Sequence, residues 1–597
     1  MAKSRRAEVL ASARLALFVV CVLLAAWVLS SSAHALVAGA ALAASVTGFL
    51  LLVALHGHAR TAAAHARALR DFNVRGAARV RRAWASLPNA GEGVASDHPY
   101  ATDLDICGTP ASLYRLVDVV SAGTGRPVLL RWLLSSSATA RELRERQAAV
   151  AELASATVFR EELAVLARQS PEIAPEQYES LLQWAEQTDL LAERSPGIVW
   201  AARIIPVLTI ATAVLAFLRR VPWSTPAFSL LVGLVLLGRY RATLNSGLTG
   251  VLAHASGLRI QRRMLEQITP QPFTSTLLQR LRGRGASGVE ALRALERALG
   301  VVEGRGSLMY AILNALVLWD VHALAWLDRW RQRYGRQVRD SLSALGEVEA
   351  LASLGMLAHD NPDWTFPQFD DRADRLTATA LGHPLIPGET RVANDVTVGP
   401  PGTMLLVTGS NMSGKSTLLR AIGLNVVLAQ AGGPVCAARL TMPIFELRTS
   451  IRLADSLERG VSLFMAELER LKDIVDAARA SNRTHPLLYL LDEILHGTNT
   501  AERVIAARAV LGHLVRAGAI GAVTTHDLTL AADGALASAS QPVHFTEHVT
   551  TGNGEGASAM TFDYVLRPGL ATSTNALKLL AIVGLGDVSD PNRSERL

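Results

Sequence analysis

The most constraining feature of this chain is a glycine-rich loop at residues 409–416, which reads GSNMSGKS and has the spacing G-x-x-x-x-G-K-S. The β-prone run MLLVT at 404–408 precedes the loop, and the helix-prone run TLLR at 417–420 follows it. A strand, a glycine-rich turn and a helix in this order predict an α/β fold whose loop N–H groups surround a phosphate. We therefore expect the chain to bind a nucleoside triphosphate.

Each loop residue has an expected role at that phosphate. Lys415 brings a positive charge toward the β- and γ-phosphates, and the Ser416 hydroxyl is a ligand for Mg²⁺. The residues expected to contact the nucleotide are Gly409, Ser410, Asn411, Met412, Ser413, Gly414, Lys415, Ser416 and Thr417.

Two apolar runs farther along the chain end in residues suited to hydrolysis. The run at 487–491 leads into Asp492 and Glu493, and the run at 520–525 leads into His526. We expect Asp492 to orient Mg²⁺, Glu493 to polarise the attacking water as general base, and His526 to sense the γ-phosphate. The alternatives are a helix N-cap role for the carboxylates and a surface position for His526. The glycine-rich loop in the same chain argues against both.

These segments resemble the ATPase domain of the MutS family of DNA mismatch-repair proteins. The resemblance rests on TGSNMSGKST at 408–417, QAGGPV at 430–435, DSLERGVSLF at 455–464, DEILHGTNT at 492–500, TTH at 524–526, HPLI at 383–386, VAND at 392–395, LRPG at 566–569 and STNA at 573–576. It implies ATP with Mg²⁺, a chain that flanks the adenine near Val392, DNA binding, and a homodimer in which Ser462 reaches the nucleotide of the partner subunit.

Two positions depart from the family pattern. Where the family has G-R-S-T-F, this chain has GVSLF at 460–464, and His496 stands where arginine is usual. The resemblance therefore implies hydrolysis without setting its rate.

The resemblance continues upstream into the family's helical core. LDI at 104–106, SLYRLVD at 112–118, GRPVLLRWL at 125–133 and ELRERQAAV at 142–150 resemble the start of that core. Residues 250–350 would form its lever-like remainder, and we expect the mismatch-reading domain to be missing. The string Phe159-Arg160-Glu161 matches that domain's Phe-x-Glu wedge, but it lies inside the helical match and is interpreted as structural.

Apolar runs at 15–29 and 35–55 predict a membrane hairpin, because about 20 apolar residues span a bilayer. Basic residues flank the pair on both outer sides: Lys3, Arg5, Arg6 and Arg14 before it, and Arg60, Arg67 and Arg70 after it. This pattern predicts that both ends are cytoplasmic. A cleaved secretory signal is the competing interpretation, since Ala33-His34-Ala35 resembles a cleavage site.

A second hairpin is predicted at 204–218 and 221–237, which gives four spans. Pro206, Pro222 and Pro226 interrupt these runs, and Arg219 and Arg220 lie in the turn between them. Both runs are near or below the usual spanning length. A buried helical hairpin of the core remains the alternative.

The composition agrees with a membrane-associated chain that has an anionic partner. Half of the residues are hydrophobic, 19% are charged, and the net charge is +7. DNA and anionic lipid headgroups both suit this charge. Arginines at 259, 262, 263, 280, 282 and 284 are candidate phosphate contacts or ordinary solvated helix faces. Cys21, Cys107 and Cys436 have no metal-type spacing, so we expect no metal cluster and no disulfide framework.

The sequence thus predicts a multidomain α plus α/β protein. The expected units are a transmembrane hairpin with a basic N-terminus at 1–60, a MutS-like helical core at 61–195, a second transmembrane hairpin at 196–240, a helical lever at 241–375, a P-loop ATPase domain of ABC type at 376–585 and a flexible tail at 586–597. We expect a multi-pass protein of a bacterial-type inner membrane with its ATPase domain in the cytoplasm. The expected function is a membrane-anchored MutS-like ATPase that closes on DNA as a nucleotide-driven dimer; the alternative is a membrane-associated ABC-type ATPase for transport or membrane remodelling.

Overall fold

The computed structural model places a helical part before an α/β part. It describes residues 2–30, 35–88, 98–119, 124–135, 137–169, 175–187, 195–252, 255–300, 302, 304–305, 307–370, 372–410, 412–452, 463–482, 485–495, 500–527, 534–550 and 559–571. The helices before the first strand are α1 (Ala2–Ser30), α2 (Ala35–Val80), α3 (Leu113–Val117), α4 (Gly125–Leu134), α5 (Ala140–Ser155), α6 (Thr157–Ala167), α7 (Pro175–Glu186), α8 (Pro196–Phe217), α9 (Ser224–Arg239), α10 (Arg241–Leu252), α11 (Ala255–Ile268), α12 (Thr276–Gly300), α13 (Leu308–Val317) and α14 (Trp319–Asp360).

Helix α14 is the axis of the helical part. Its 42 residues correspond to a length of about 63 Å at the standard rise per residue, and α4, α5, α7 and α12 pack along it. Two glycines let neighbours approach its backbone. A Cβ at Gly335 would lie 2.1 Å from the carbonyl oxygen of Ala185, and one at Gly346 would lie 2.5 Å from that of Thr124.

The first predicted hairpin corresponds to α1 and α2, which pack against each other with the rings of Phe18 and Phe49 5.8 Å apart. Helix α2 does not end with its apolar run. It continues to Val80, and Phe72 lies fully buried in the helical core. The segment 35–80 holds no proline, so nothing stops the helix after residue 55. The predicted unit boundary at residue 60 therefore lies inside one continuous helix.

The second predicted hairpin corresponds to α8 and α9, whose Thr209 and Ser229 hydroxyls are hydrogen-bonded at 2.7 Å. Helix α13 packs against both. Among the residues that the structure describes, four helices are long and apolar enough to cross a membrane: Glu8–Val28 of α1, Val37–Val80 of α2, α8 and α14. In α14 the apolar window is 83% buried inside the protein, which marks it as a core helix, and α9 and α13 are shorter apolar helices.

The predicted Phe-x-Glu string lies in the core, as the helical match indicated. Arg160 is buried and donates to the carbonyl oxygen of Ala154 at 2.8 Å. The Phe159 ring packs edge-on against Phe273 at 5.7 Å.

The α/β part is built on a six-stranded sheet with the order β12-β9-β4-β8-β7-β6. The strands are β1 (Gln368–Phe369), β2 (Leu376–Leu381), β3 (Asn394–Val398), β4 (Met404–Thr408), β5 (Arg439–Met442), β6 (Glu446–Ser450), β7 (Leu487–Asp492), β8 (Ile520–Thr524), β9 (Ser540–His544), β10 (Glu547–Thr550), β11 (Ala559–Phe562) and β12 (Arg567–Pro568). Strands β4, β6, β7, β8 and β9 are parallel, and β12 is antiparallel to β9. The carboxyl ends of the parallel strands therefore meet at one edge, where sheets of this kind bind ligands.

In the described part of the chain, this sheet is accompanied by helices α15 (Lys415–Ala431), α16 (Leu463–Ala480), α17 (Thr500–Arg516) and α18 (Gly534–Ala539). Two smaller sheets stand beside it, one with the order β1-β5-β2-β3 and one formed by β10 and β11. Central strands β4 and β8 are buried throughout, which explains their uninterrupted apolar sequences.

The helical part is fixed to the α/β part by a buried carboxylate. Asp103 accepts hydrogen bonds from the Thr449 hydroxyl at 2.7 Å, from the Ile451 backbone N–H at 2.8 Å and from the Arg470 guanidinium at 2.8 Å. Next to it, Leu104 fills the space left by Gly423 of α15, where a Cβ would lie 2.7 Å from a Leu104 methyl. The core segment at 103–104 thus packs directly on the helix that follows the glycine-rich loop.

Candidate nucleotide-binding site

The glycine-rich loop joins β4 to α15, as its sequence predicts. Gly409 and Gly414 have φ of 144° and 105°, values that residues with a side chain rarely adopt. A Cβ at Gly409 would also lie 2.9 Å from the Ser413 hydroxyl. The loop therefore needs glycine at these positions for its shape, and that shape turns the chain around the N-terminus of α15.

Lys415 is the first residue of α15 and folds back over the loop. Its Nζ donates to the carbonyl oxygens of Gly409 at 3.0 Å and Ser410 at 2.9 Å, and lies 3.5 Å from Glu493 Oε1. Burial lowers the pKa of Lys415, and the nearby carboxylate of Glu493 opposes this shift. The ammonium group is thus held between the loop and the acidic edge of the sheet.

Asp492 and Glu493 lie at the carboxyl end of β7. The Thr524 hydroxyl of β8 donates to Asp492, and the Glu493 N–H donates to the same hydroxyl oxygen at 3.1 Å. Glu493 has φ of 47° and directly follows the last residue of β7. Its Oε1 contacts both Lys415 and the imidazole Nε2 of His526. The structure therefore brings Lys415, Asp492, Glu493 and His526 together from three separate segments.

A pocket of about 300 Å³ opens beside the loop and is mostly apolar. Val392, predicted to flank the base, lines it together with His383, Phe545 and Tyr564. The Tyr564 ring lies against Gly414, where a Cβ would be 3.2 Å away. An apolar pocket next to a glycine-rich loop is suited to a nucleotide base.

Asn394 and His383 fix the walls of this pocket. The Asn394 side chain donates to the carbonyl oxygen of Tyr564 at 3.0 Å and accepts from the Leu566 N–H at 2.8 Å. Burial, with help from the charges of Arg420 and Arg391, lowers the pKa of His383 to about 4. His383 is therefore neutral near pH 7 and accepts at Nδ1 from the Leu385 N–H at 3.2 Å.

Comparison with known proteins identifies this part of the chain. A family model described as MutS domain V matches residues 405–589. The DNA mismatch repair protein MutS of Azorhizobium caulinodans is 31% identical over 339 residues, which cover 54% of this chain and 34% of that protein. DNA mismatch repair protein MutS 2 of Halobacterium salinarum is 33% identical over 248 residues, or 40% of this chain and 27% of that protein. Residues 405–589 of this chain therefore match MutS domain V, and the chain is similar over part of its length to DNA mismatch repair proteins of the MutS family.

The sequence similarity extends to a eukaryotic protein, and it covers only part of each chain. DNA mismatch repair protein MSH6 of Arabidopsis thaliana is 30% identical over 275 residues, which cover 44% of this chain and 20% of that protein. The chain thus spans about a third or less of the length of these three relatives.

Most of the predicted nucleotide contacts lie on the described loop of this MutS domain V. Gly409, Ser410, Met412, Ser413, Gly414, Lys415, Ser416 and Thr417 occupy the turn and the first turn of α15. Asn411, Ser462 and His496 lie outside the described residues. The buried Ser413 hydroxyl has no hydrogen-bond partner within the described chain, so the loop has polar capacity that a phosphate would use.

Sequence reasoning missed three residues of the site. Tyr564 and Phe545 line the base pocket, and Glu547 accepts a hydrogen bond from the loop residue Ser410. All three follow the last motif strand, in a part of the chain where short strands alternate with turns. The run LRPG at 566–569, quoted above for the resemblance, could have pointed to them, because it brings this last part of the chain back toward the glycine-rich loop.

Proposed function

We propose that this chain is a membrane-anchored MutS-like ATPase that binds ATP with Mg²⁺ and hydrolyses it. The observation that carries the proposal is the meeting of Lys415, Asp492, Glu493 and His526 beside the glycine-rich loop. A cation, two carboxylates and an imidazole at a phosphate-binding turn are the groups that phosphoryl transfer uses.

Each residue has a definite part in this reaction. The loop N–H groups and Lys415 bind the phosphates, and Val392 and Tyr564 enclose the base. Glu493 accepts the proton of the attacking water, and His526 holds the Glu493 carboxylate in place. Ser416 and Asp492 supply the hydroxyl and carboxylate oxygens that Mg²⁺ prefers. When bound, Mg²⁺ neutralises the charge that develops on the phosphates.

Glu493→Gln tests this assignment. The amide keeps the size of the side chain but cannot accept the proton, so ATP binding should persist while hydrolysis falls by roughly 10²–10⁴-fold. Glu469→Gln is the matched control, because Glu469 is an exposed carboxylate of the same domain. A Glu493→Gln protein that hydrolyses ATP as fast as the parent chain would show that another group is the base.

Membrane anchoring is part of the proposal and rests on exposed apolar side chains. Several large apolar residues of α1, α8 and α9 are more than half exposed, among them Leu23, Ile210 and Phe228 at 64%, 64% and 69%. We place the protein in a bacterial-type inner membrane with its ATPase domain in the cytoplasm. Carbonate washing of membranes that contain the full chain tests this, since a chain held only by surface charge would be released.

Homodimerisation through the ATPase domains is the next part of the proposal. Ser462 is expected to reach the partner subunit's nucleotide, so ATP should favour the dimer. We expect Glu493→Gln protein with ATP to sediment as a dimer in detergent and to return to monomer without nucleotide. A protein that stays monomeric in both conditions would exclude this arrangement.

DNA binding is proposed from the mismatch-repair names of the relatives, and the arginines singled out in the sequence give it little support. Arg259, Arg262, Arg280 and Arg284 each pair with carboxylates at 2.6–3.0 Å. Such pairs reduce the charge available to DNA phosphates. Titration of duplex DNA at several salt concentrations tests this part, because each phosphate contact adds to the salt dependence.

A second candidate function is ATP-driven work on the membrane itself. It is favoured by α2, which runs without interruption from its apolar segment to Val80. Just beyond its end, Arg82 donates to the carbonyl oxygen of Pro384 at 3.0 Å, and the adjacent His383 lines the base pocket. If this candidate is right, hydrolysis should respond to lipid and remain unchanged when DNA is added.

A further inference from the structure

A groove between α12 and α14 combines arginine and aromatic side chains that have no role in the function proposed above. Arg297 of α12 and Trp326, Arg329, Trp330, Arg333 and Tyr334 of α14 line it, and we call it the arginine groove. Its volume is about 320 Å³. It lies in the helical part and shares no lining residue with the nucleotide pocket.

The three arginines of this groove are exposed and uncompensated. In the described part of the chain, no carboxylate lies within 4.0 Å of their guanidinium groups. Neighbouring arginines on α11 and α12 behave differently, since Arg259, Arg280 and Arg293 each form a salt bridge at 2.6–2.9 Å. The groove therefore concentrates positive charge that the protein itself does not neutralise.

The aromatic residues give the groove a fixed floor and one exposed ring. The buried Trp330 donates its indole N–H to the carbonyl oxygen of Ala291 at 2.7 Å and stacks on Trp184. The Tyr334 hydroxyl donates to Glu290 at 3.0 Å. Trp326 stays 44% exposed, which is typical of tryptophan at a membrane–water interface.

The groove begins close to the apolar helices that we propose to be in the membrane. A Cβ at Gly233 of α9 would lie 3.3 Å from Leu318, the residue before α14. The ring of Trp319, the first residue of α14, lies 6.4 Å from that of Trp326. Trp326 is therefore about 10 Å along the helix from the foot of the hairpin.

Helix α13 brings a further apolar face to the same level. Its Tyr310 and Asn314 donate to Asp320 of α14 at 2.6 and 3.1 Å, and Arg305 donates to the same carboxylate at 2.9 Å. These contacts hold the polar side of α13 inward. The opposite side leaves Leu308 and Met309 78% and 75% exposed, as in helices that lie within a membrane interface.

We propose that the arginine groove binds the headgroup of an anionic phospholipid from the cytoplasmic leaflet. Uncompensated guanidinium groups bind the phosphate, exposed Trp326 contacts the glycerol and upper acyl region, and the apolar helices beside it hold the chains. This proposal rests on the membrane anchoring given above and adds a lipid class to it. DNA would also meet the charge of the groove, but the apolar surface at its foot favours lipid.

The test uses the full chain in nanodiscs of equal phosphatidylglycerol and phosphatidylcholine, with retained lipid counted by native mass spectrometry. The parent chain should retain phosphatidylglycerol in preference to phosphatidylcholine. Arg297→Gln, Arg329→Gln and Arg333→Gln together should reduce this preference by roughly a hundred-fold, since each arginine near an anionic surface contributes about a factor of five. The matched control replaces Arg259, Arg280 and Arg293, which changes the charge equally.

Each outcome has a separate meaning. An unchanged preference in the groove variant, or an equal loss in the control, overturns the proposal. A groove variant that keeps its lipid but loses duplex DNA binding shows that the groove is a nucleic-acid contact instead. Release of the parent chain by carbonate would refute membrane anchoring itself, whereas an embedded chain without lipid preference refutes only the groove. ATP binding by both variants verifies that they are folded.

Discussion

The central sheet and the apolar hairpins use the same residue types and treat them in opposite ways. Strands β4 and β8 contain only buried residues. In the hairpins, by contrast, Leu15, Phe217 and Trp223 are 65%, 77% and 64% exposed. The sheet is short enough for helices to cover both faces, whereas the hairpin helices extend beyond anything the protein packs on them. The difference teaches that an apolar run is buried only where the protein supplies a surface to cover it, and lipid is the partner that we propose for the hairpins.

The two regions are nevertheless connected. Arg82, beyond the end of α2, donates to the carbonyl oxygen of Pro384 at 3.0 Å and to the Asn361 side-chain oxygen at 3.1 Å. The first contact reaches the wall of the base pocket, and the second reaches the end of α14. Arg82 therefore connects the end of α2 both to the end of α14 and to Pro384, the neighbour of the pocket residue His383.

The largest expected effect is a loss of ATP binding at the nucleotide site that leaves the apolar hairpins unaffected. Lys415→Ala removes the ammonium group held over the loop, so ATP binding should fall below detection while membrane association stays unchanged. Fluorescent ATP-analogue titration together with carbonate washing measures both properties. Lys472→Ala is the control, because Lys472 is exposed and pairs with Asp476 one turn away. Loss of membrane association in the Lys415 variant would mean that the regions are not separable.

Asp103→Ala should give the next largest effect, because it breaks the contact between the helical part and the α/β part. Its removal leaves the Arg470 guanidinium and two backbone or hydroxyl donors without their acceptor. Loss of one partner of a buried ion pair costs about 3–5 kcal/mol. Thermal unfolding should show this loss. Asp476→Ala, at an exposed carboxylate, should leave the unfolding temperature nearly unchanged, and equal shifts in both variants would contradict the role of Asp103.

Ile210→Arg tests whether the hairpin surface faces lipid or water. Ile210 lies on α8 and is 64% exposed. A charge there should cost about 2.5–3.5 kcal/mol in a bilayer and little in water. Val158→Arg is the control, because Val158 is 75% exposed on α6, outside the apolar hairpins. We expect the Ile210 variant to be depleted from carbonate-washed membranes and the Val158 variant to be retained; equal retention would place the hairpin in water.

The smallest expected effect is a pH dependence of the nucleotide region. Burial depresses the pKa of His383 from its ordinary 6.5 to about 4. The folded state thus binds fewer protons than the unfolded state between these values, so this contribution is fully present above pH 6.5 and is lost as the pH falls toward 4. At about pH 5.5 the loss should be about 1 kcal/mol. His383→Asn should remove this part of the pH slope in unfolding experiments, and an unchanged slope would assign it to another group.

Several features of the site followed from the sequence because they are local. The loop spacing placed Gly409, Gly414 and Lys415 between a strand and a helix, since the turn depends on neighbouring residues. Apolar runs ending in Asp492 and near His526 gave buried parallel strands whose carboxyl ends meet. The matches to MutS domain V and to the MutS relatives then confirmed the resemblance for this part of the chain.

Other features depend on contacts between distant segments, which no local pattern reveals. The sequence predicted a boundary at residue 60, but α2 continues past it, and its residue Phe72 is buried in the helical core. It offered Arg280 and Arg284 as phosphate contacts, whereas Glu145 and Asp340 neutralise them from other helices. Tyr564 likewise reaches the base pocket from a distant part of the chain, so no local pattern revealed it.

The sequence by itself therefore determined the shape of the glycine-rich loop, the strands around it and the positions of the long apolar segments. Only the tertiary structure decided which charges remain unpaired, which helices run on into the core, and that the polar side of α13 is held inward while its apolar side is exposed. The physical reason is range: backbone turns and strand burial are set within a few residues, but charge compensation depends on side chains that meet only after folding.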